Sequence, residues 1–383
     1  MDPQNPDYSL EQIVASVEHR LNSCPVIPDT RTYTISHFPD VLAGVNDGIR
    51  LPRQVFFGPC RFRTGPFEDY KLSFLNMFFS RTQKDRSFYI GELNGLKDEI
   101  KRCYSPKFAM PPDGELVEMM LYDGSFMVEL FRQYDEGTDF MSHLPCPLPT
   151  LISDLLKLEN QLPFSVLEKL FKSSNVGPRA SIHPSQTFCK SSEMVYDVQE
   201  PKHLLDLFRR SLIPTTNSDP HRSKRYDQRH SIQSMKYLRS VGITVRQKTA
   251  KSLLEIDFRK FQIPPLALKI PPLAIDDFTN AVLVNCVALE QCFPDESKHF
   301  TAYACFMSCL LKQPEDVGYL HIIKGVSQDE TSFITTLNSI GTSLSATLRE
   351  CYLWKQFCEI HSYYNSYWAS IRLTLLRYND FML

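Results

Sequence analysis

This chain of 383 residues lacks any apolar run near the roughly 20 residues needed to cross a bilayer. The nearest, "AVLVNCVAL" from Ala281 to Leu289, is short and carries Asn285, so the chain as it stands is expected to be soluble. The N-terminus, "MDPQNPDYSLEQIVASVEHR", has early acids and no apolar stretch of signal-peptide type. No N-x-S/T acceptor occurs. Glycine is scarce, at 14 residues, which argues against a low-complexity or disordered chain. Basic excess is missing too: 42 Lys and Arg face 44 Asp and Glu, excluding the electrostatic footprint of a general nucleic-acid binder. Neither a P-loop, a G-x-S-x-G elbow nor a G-x-G-x-x-G turn is present. The 11 cysteines are odd in number and scattered. A chain that builds its own core needs no disulfide framework, so free thiols in a reducing, cytosolic setting are expected.

What is there is apolar and helical. Some 43% of residues are hydrophobic, enough for a substantial core. Residues 1–44 read as an N-terminal amphipathic helix and lead-in. Residues 45–213 form a first helical half, with "IRLPRQVFFGPCRF" as an extended entry, then helices over "PFEDYKLSFLNMFFSRT", "FYIGELNGLKDEIKRCY" and "DGELVEMMLYDGSFMVELFRQY". Asp113 is placed to cap the last of these, and Gly124 inside it marks close packing or a break. Residues 172–200 read as a surface loop, and residues 214–230 as a polar, basic linker. Residues 231–383 form a second helical half, ending in one long aromatic helix. The expected fold is mainly α: a single large helical domain, with a small β-hairpin around residues 252–276, where β-type stretches alternate with prolines.

Polar groups stand out inside the apolar helices. Glu159, Asn160 and Gln161 sit in "DLLKLENQLPFSVLEKLF", Glu290 and Gln291 end "VALEQC", and Asp123 lies in "MMLYDGSFM". Asp123, Glu159 and Glu290 could serve a metal-dependent or hydrolase-like reaction. No histidine accompanies them at fixed helical spacing, as inward-facing metal motifs require. The favoured reading is a buried polar network between helices, with Pro163 opening a new helix and Asn160 or Gln161 capping the broken end. On that reading, removing the Glu159 carboxylate destabilises the fold by leaving a buried partner unsatisfied. Cys305 and Cys309, with His299 upstream, lack the second ligand pair of a zinc site, and Cys351 and Cys358 are read the same way. Ser181 and His183 lie in a loop without an orienting partner. Arg222, Lys224, Arg225 and Arg229 form a short basic patch that could meet an anionic lipid, RNA or an acidic partner, though a solvated linker is favoured. Trp354, Phe357, Tyr363, Tyr364, Tyr367, Trp368 and Tyr378 make the last helix aromatic, as on a core-packed helix or at a membrane interface. No catalytic residue, metal or cofactor is assigned.

The segments "MMLYDGSFMVELF", "DLLKLENQLPFSVLEKLF", "HLLDLFR", "SLLEIDF", "IPPLAID", "NCVALEQC", "AYACFMSCLL" and "EDVGYLHIIKG" follow the order seen in the plant domain-of-unknown-function 247 family. Over roughly residues 45–380 the chain resembles that family. The resemblance implies a largely helical protein without established enzymatic activity, cytosol-facing and working through protein contacts. It also implies a C-terminal membrane anchor, with the plasma membrane as its place; this chain stops at "RYNDFML", where the anchor would begin. Grass members of this kind are associated with self-incompatibility as pollen-side determinants, others with growth and defence. One departure is "GPCRFR", where Phe62 stands near a histidine position of the family pattern. A protein partner is expected, and no nucleic acid.

Overall fold

Charge placement and caps set the first helices. In the computed structural model Pro66–Arg81 (α2) follows a single turn at Asp47–Arg50 (α1), with Glu68 and Asp69 in its first turn and Arg81 in its last. That arrangement complements the helix dipole. Arg86–Cys103 (α3) is capped by Asp85, whose carboxylate accepts the Phe88 N–H at 3.0 Å. Asp113–Glu136 (α4) ends at Gly137, where φ of +66° is open to glycine at little cost. Asp113 does not cap α4: Pro112 takes the cap position, and the Asp113 carboxylate instead meets Lys97 at 3.1 Å and also Lys101. The residues described are 14–16, 18–19, 33–59, 66–82, 84–139, 144–174, 200–214, 232–258, 266–319, 323–326, 330–345 and 351–380.

The chain divides into residues 1–32, of which 14–16 and 18–19 are helical, and a body of residues 33–383. In the body, α2 and α3 pack on α4, and Phe126 of α4 meets the rings of Phe57, Phe67 and Phe74. Leu148–Leu155 (α5) and Phe164–Ser173 (α6) follow, with Pro163 at the N-cap of α6. Gly124 is there for contact, not for a break: a Cβ on it would lie 2.5 Å from Leu170 Cδ1 of α6.

After Leu204–Leu212 (α7) and Met235–Ser240 (α8), the chain forms Ile243–Gln247 (β1), Leu266–Ile270 (β2) and Leu273–Ile275 (β3). Asp277–Cys292 (α9) is buried without interruption from Asn280 to Glu290, the pattern of a helix surrounded by others. His299–Leu310 (α10), Pro314–Tyr319 (α11), Ile323–Val326 (β4) and Glu330–Leu344 (α12) complete this part. α10 and α12 approach so closely at Gly341 that a Cβ there would fall 2.1 Å from Ser308 Oγ.

The fold is mainly α, as the sequence suggests, but the hairpin is corrected. Residues 252–276 do contain β structure, yet β1 pairs with β2 in parallel, and β3 pairs with β4 in parallel. A single antiparallel bridge, Asp257 to Lys269, is all that a hairpin would share with it among the described residues. Parallel pairs need long crossovers, which the local proline pattern does not reveal. Pro271 and Pro272 separate β2 from β3, and each strand takes a partner from further away. The long C-terminal helix is two helices, Trp354–Tyr364 (α13) and Tyr367–Asp380 (α14), broken at Asn365 and Ser366. No helix among the described residues is long and apolar enough to cross a membrane.

Candidate functional site

Residues 53–58, "RQVFFG", bend at both ends and pass from exposed Arg53 to buried Phe57 and Gly58 without a strand partner. Buried backbone must still be hydrogen-bonded. Side chains from several elements do this. Asp154, at the end of α5, accepts the N–H groups of Arg53 (2.9 Å), Gln54 (2.7 Å) and Val55 (3.1 Å). Asn160 accepts the Phe57 N–H at 2.7 Å and donates to the Val55 carbonyl at 2.9 Å. Lys71 of α2 donates to the Phe56 carbonyl, and Asp123 of α4 accepts the Gly58 N–H at 2.8 Å. Lys71 and Asp123 also meet each other at 2.9 Å with 1% and 0% of their side chains exposed. The Lys71 ammonium lies 4.9 Å from the Phe57 ring centroid, in cation–π range.

The same clamp holds what comes before and after. Lys157 donates to the carbonyls of Gly48 (3.1 Å) and Ile49 (2.6 Å), at the unsatisfied end of α1. Asn285 of α9 donates to the Ile49 carbonyl and accepts the Leu158 N–H, both at 2.9 Å. Gln161 accepts the Leu205 N–H at 2.9 Å and donates to the carbonyls of Leu155 (2.8 Å) and Lys157 (2.7 Å). Asn160 adds the Asp154 carbonyl at 2.9 Å, so the two amides close the broken end of α5. Burial pulls the Lys157 ammonium down to about 8, against the attraction of Asp154. Burial also raises the Asp154 carboxyl, although three N–H groups oppose it.

Glu159 faces outward from this knot. It accepts the Phe38 N–H at 2.8 Å and lies 3.5 Å from both His37 and Arg50. Its side chain is 13% exposed. Burial works to raise its pKa, but His37, the Phe38 N–H and Arg50 outweigh it and hold the carboxyl low. His37, stacked on Phe108 at 4.0 Å, is raised by its bond to Glu159 against burial. Lys107 and Cys292 also face this pair. A His37 raised above about 6.5 stabilises fully below that pH and loses its contribution as pH rises through the folded value. A depressed Glu159 stabilises above about 4.3 and loses its contribution as pH falls through the folded value. The melting difference between wild type and His37→Gln is therefore expected to be largest near about pH 5–6 and to shrink toward about pH 9. A difference that is flat with pH, followed by differential scanning fluorimetry, would rule out this pairing.

Glu290 belongs to a second knot. It accepts the N–H groups of Phe300 (2.9 Å) and Thr301 (2.8 Å) and the Thr301 hydroxyl (2.7 Å), closing the first turn of α10. Gln291 donates to the same hydroxyl at 2.9 Å. Arg209, 1% exposed, stands 3.6 Å from Glu290 and also pairs with Glu296. Burial raises the Glu290 carboxyl, with Arg209 and the two backbone N–H groups opposing.

Asn160 and Gln161 are thus brought together with Asp154, and Asp123 joins them through residues 57 and 58. Glu159 sits on their outer side, and Glu290 and Gln291 stand in the separate α9–α10 knot. Each of the three acids accepts backbone N–H groups. No group of three or more His, Cys, Asp or Glu side chains among the described residues is arranged to hold a metal. Cys305, Cys309, Cys351 and Cys358 are free thiols. Ser181, His183 and Phe62 lie outside the described residues, as do Arg222, Lys224, Arg225 and Arg229 and the rest of the linker from residue 215 to 230. Sequence reasoning missed Lys71, Asp154, Lys157 and Arg209. A usable signal existed for three of them: a charge inside the apolar patterns "YKLSF", "LLKLE" and "LLDLFR".

Helices pinned around a side-chain-clamped entry segment define the class: a mainly α body whose sequence-distinctive polar residues hold its own backbone. Residues 35–381 match the family model described as a plant protein of unknown function, the domain-of-unknown-function 247 family, and the chain belongs to that family. It is similar to the UPF0481 protein At3g47200 of Arabidopsis thaliana, with 28% identity over 389 residues, covering 89% of this chain and 80% of the relative. No solved structure matches.

Proposed function

We propose that this protein is a non-enzymatic recognition or signalling protein that works through contacts with a protein partner. The observation that carries this reading is the start of α14, where Tyr367 and Trp368 are 78% and 72% exposed. Tyrosine and tryptophan supply large contact area at low entropic cost and dominate binding hot spots. The helix beneath them is anchored: Ala369 is buried, and the Arg372 guanidinium packs against Gly242, within 2.7 Å of where a Cβ would stand. Tyr363 of α13 donates to the Val241 carbonyl at 3.1 Å, fixing the same turn. An exposed aromatic pair on an anchored helix presents its contact area on a backbone already held in place for a partner. Membrane tethering near this end of the chain belongs to the same reading and rests on the family resemblance.

The test is affinity capture with chemical cross-linking from plant extract, comparing wild type with Tyr367→Ser/Trp368→Ser. Proteins retained by wild type and lost by the variant, at unchanged melting temperature, are expected. Equal recovery by both, or turnover of a substrate by the purified chain with no partner, overturns the reading.

A further inference from the structure

The groove between the end of α2 and the start of α3 is lined by Phe79, Ser80, Lys84, Asp85, Arg86 and Ser87, among others. Its two cations differ from those around it. Arg81 is paired with Glu129 and Glu136, and Lys97 and Lys101 with Asp113. Among the described residues no carboxylate pairs with Lys84 or Arg86. Each is instead held on an aromatic face: the Lys84 ammonium 4.0 Å from the Phe88 centroid, and the Arg86 guanidinium 5.4 Å from that of Phe79. The one acid in the groove, Asp85, is engaged with the Phe88 N–H and the Ser87 hydroxyl. The two positioned cations offer more donors than a carboxylate can use and suit a tetrahedral dianion, while the Ser80 hydroxyl donates to the Asn76 carbonyl at 2.8 Å and the Ser87 hydroxyl to Asp85 at 3.0 Å.

We propose that this groove binds a phosphate monoester carried on an exposed segment of a partner protein. The proposal deepens the recognition reading above and rests on it for the nature of the partner. The groove is an open trough rather than an enclosed cavity. A free small ligand needs most of its surface buried, whereas a phosphorylated chain adds contacts on either side of the phosphate. A membrane patch calls for about four to eight clustered basic residues, and here two stand beside an acid.

The experiment presents wild-type protein with an immobilised peptide pool, a fixed phosphoserine within randomised flanks, and with its unphosphorylated twin. Retention by the phosphorylated pool only is expected, competed by inorganic phosphate and weakened about tenfold by Lys84→Ala/Arg86→Ala. Both side chains are exposed, so the double variant should melt as wild type does. Ser80→Asp, which places a negative charge at the groove, should abolish retention independently. Equal retention of the twin, retention unchanged in both variants, or binding only to phosphatidylcholine vesicles containing phosphatidylinositol phosphate overturns the proposal. Tyr367→Ser/Trp368→Ser should leave peptide retention intact. Loss of partner capture in that variant with no phosphopeptide binding by wild type would sink the groove alone.

Discussion

Asp123→Ala is expected to destabilise the protein by about 3–5 kcal/mol, the usual cost of breaking a buried ion pair from one side. Lys71 and Asp123 stand 2.9 Å apart with 1% and 0% of their side chains exposed. Removing the carboxylate leaves a buried ammonium with the Phe56 carbonyl, the Phe57 ring and one carboxylate, Glu68, itself 30% exposed, to offset it. It also takes away the acceptor of the Gly58 N–H. Gly58 has φ of +63°, and a Cβ there would meet the Tyr104 hydroxyl at 2.7 Å, so the backbone has little freedom to seek another partner. Lys71→Met removes the stranded charge. The double variant Asp123→Ala/Lys71→Met is therefore expected to be more stable than Asp123→Ala alone by about 1–2 kcal/mol. Urea midpoints of the four proteins decide it. Simple additivity would mean that the two residues do not act as a pair.

The legible part of this protein and the illegible part divide along a physical line. Helices were readable because burial imposes a 3.6-residue period on "YKLSFLNMFF" and on "GELVEMMLYDGSFMVELF". Asp123, Glu159, Asn160, Gln161 and Glu290 were readable as exceptions to that period. Their partners were not, because those partners are backbone groups. Nothing in the side chains of "RQVFFG" says that its N–H groups are taken by an aspartate about a hundred residues later. Parallel pairing of β1 with β2 was hidden for a related reason. Local sequence reports turn chemistry, and a parallel partner is chosen by packing at long range. The break between α13 and α14 falls at Asn365 and Ser366, a weak signal inside a strongly aromatic pattern.

Asp154→Asn is the sharper test of the clamp, because it changes charge and one atom while conserving volume. The carboxylate accepts three N–H groups from consecutive residues, two of them on Oδ2. An amide offers one carbonyl oxygen. Whichever way it turns, its NH₂ faces at least one backbone N–H, donor against donor, at a site 1% exposed. A buried donor left unsatisfied costs about 1–3 kcal/mol, and hydrogen bonds to a charged acceptor contribute about 1.5–3 kcal/mol each. A loss of about 3–4 kcal/mol is expected on that basis. Glu159→Gln should cost less, near 1 kcal/mol, because its carboxylate is 13% exposed and accepts one backbone N–H. Hydrogen exchange locates the effect: in Asp154→Asn the amides of residues 53–57 should lose protection ahead of those in α9. If protection falls uniformly across both, the entry segment is not a separately clamped element. If Asp154→Asn and Glu159→Gln cost the same, burial of the acceptor is not what sets the strength of the clamp.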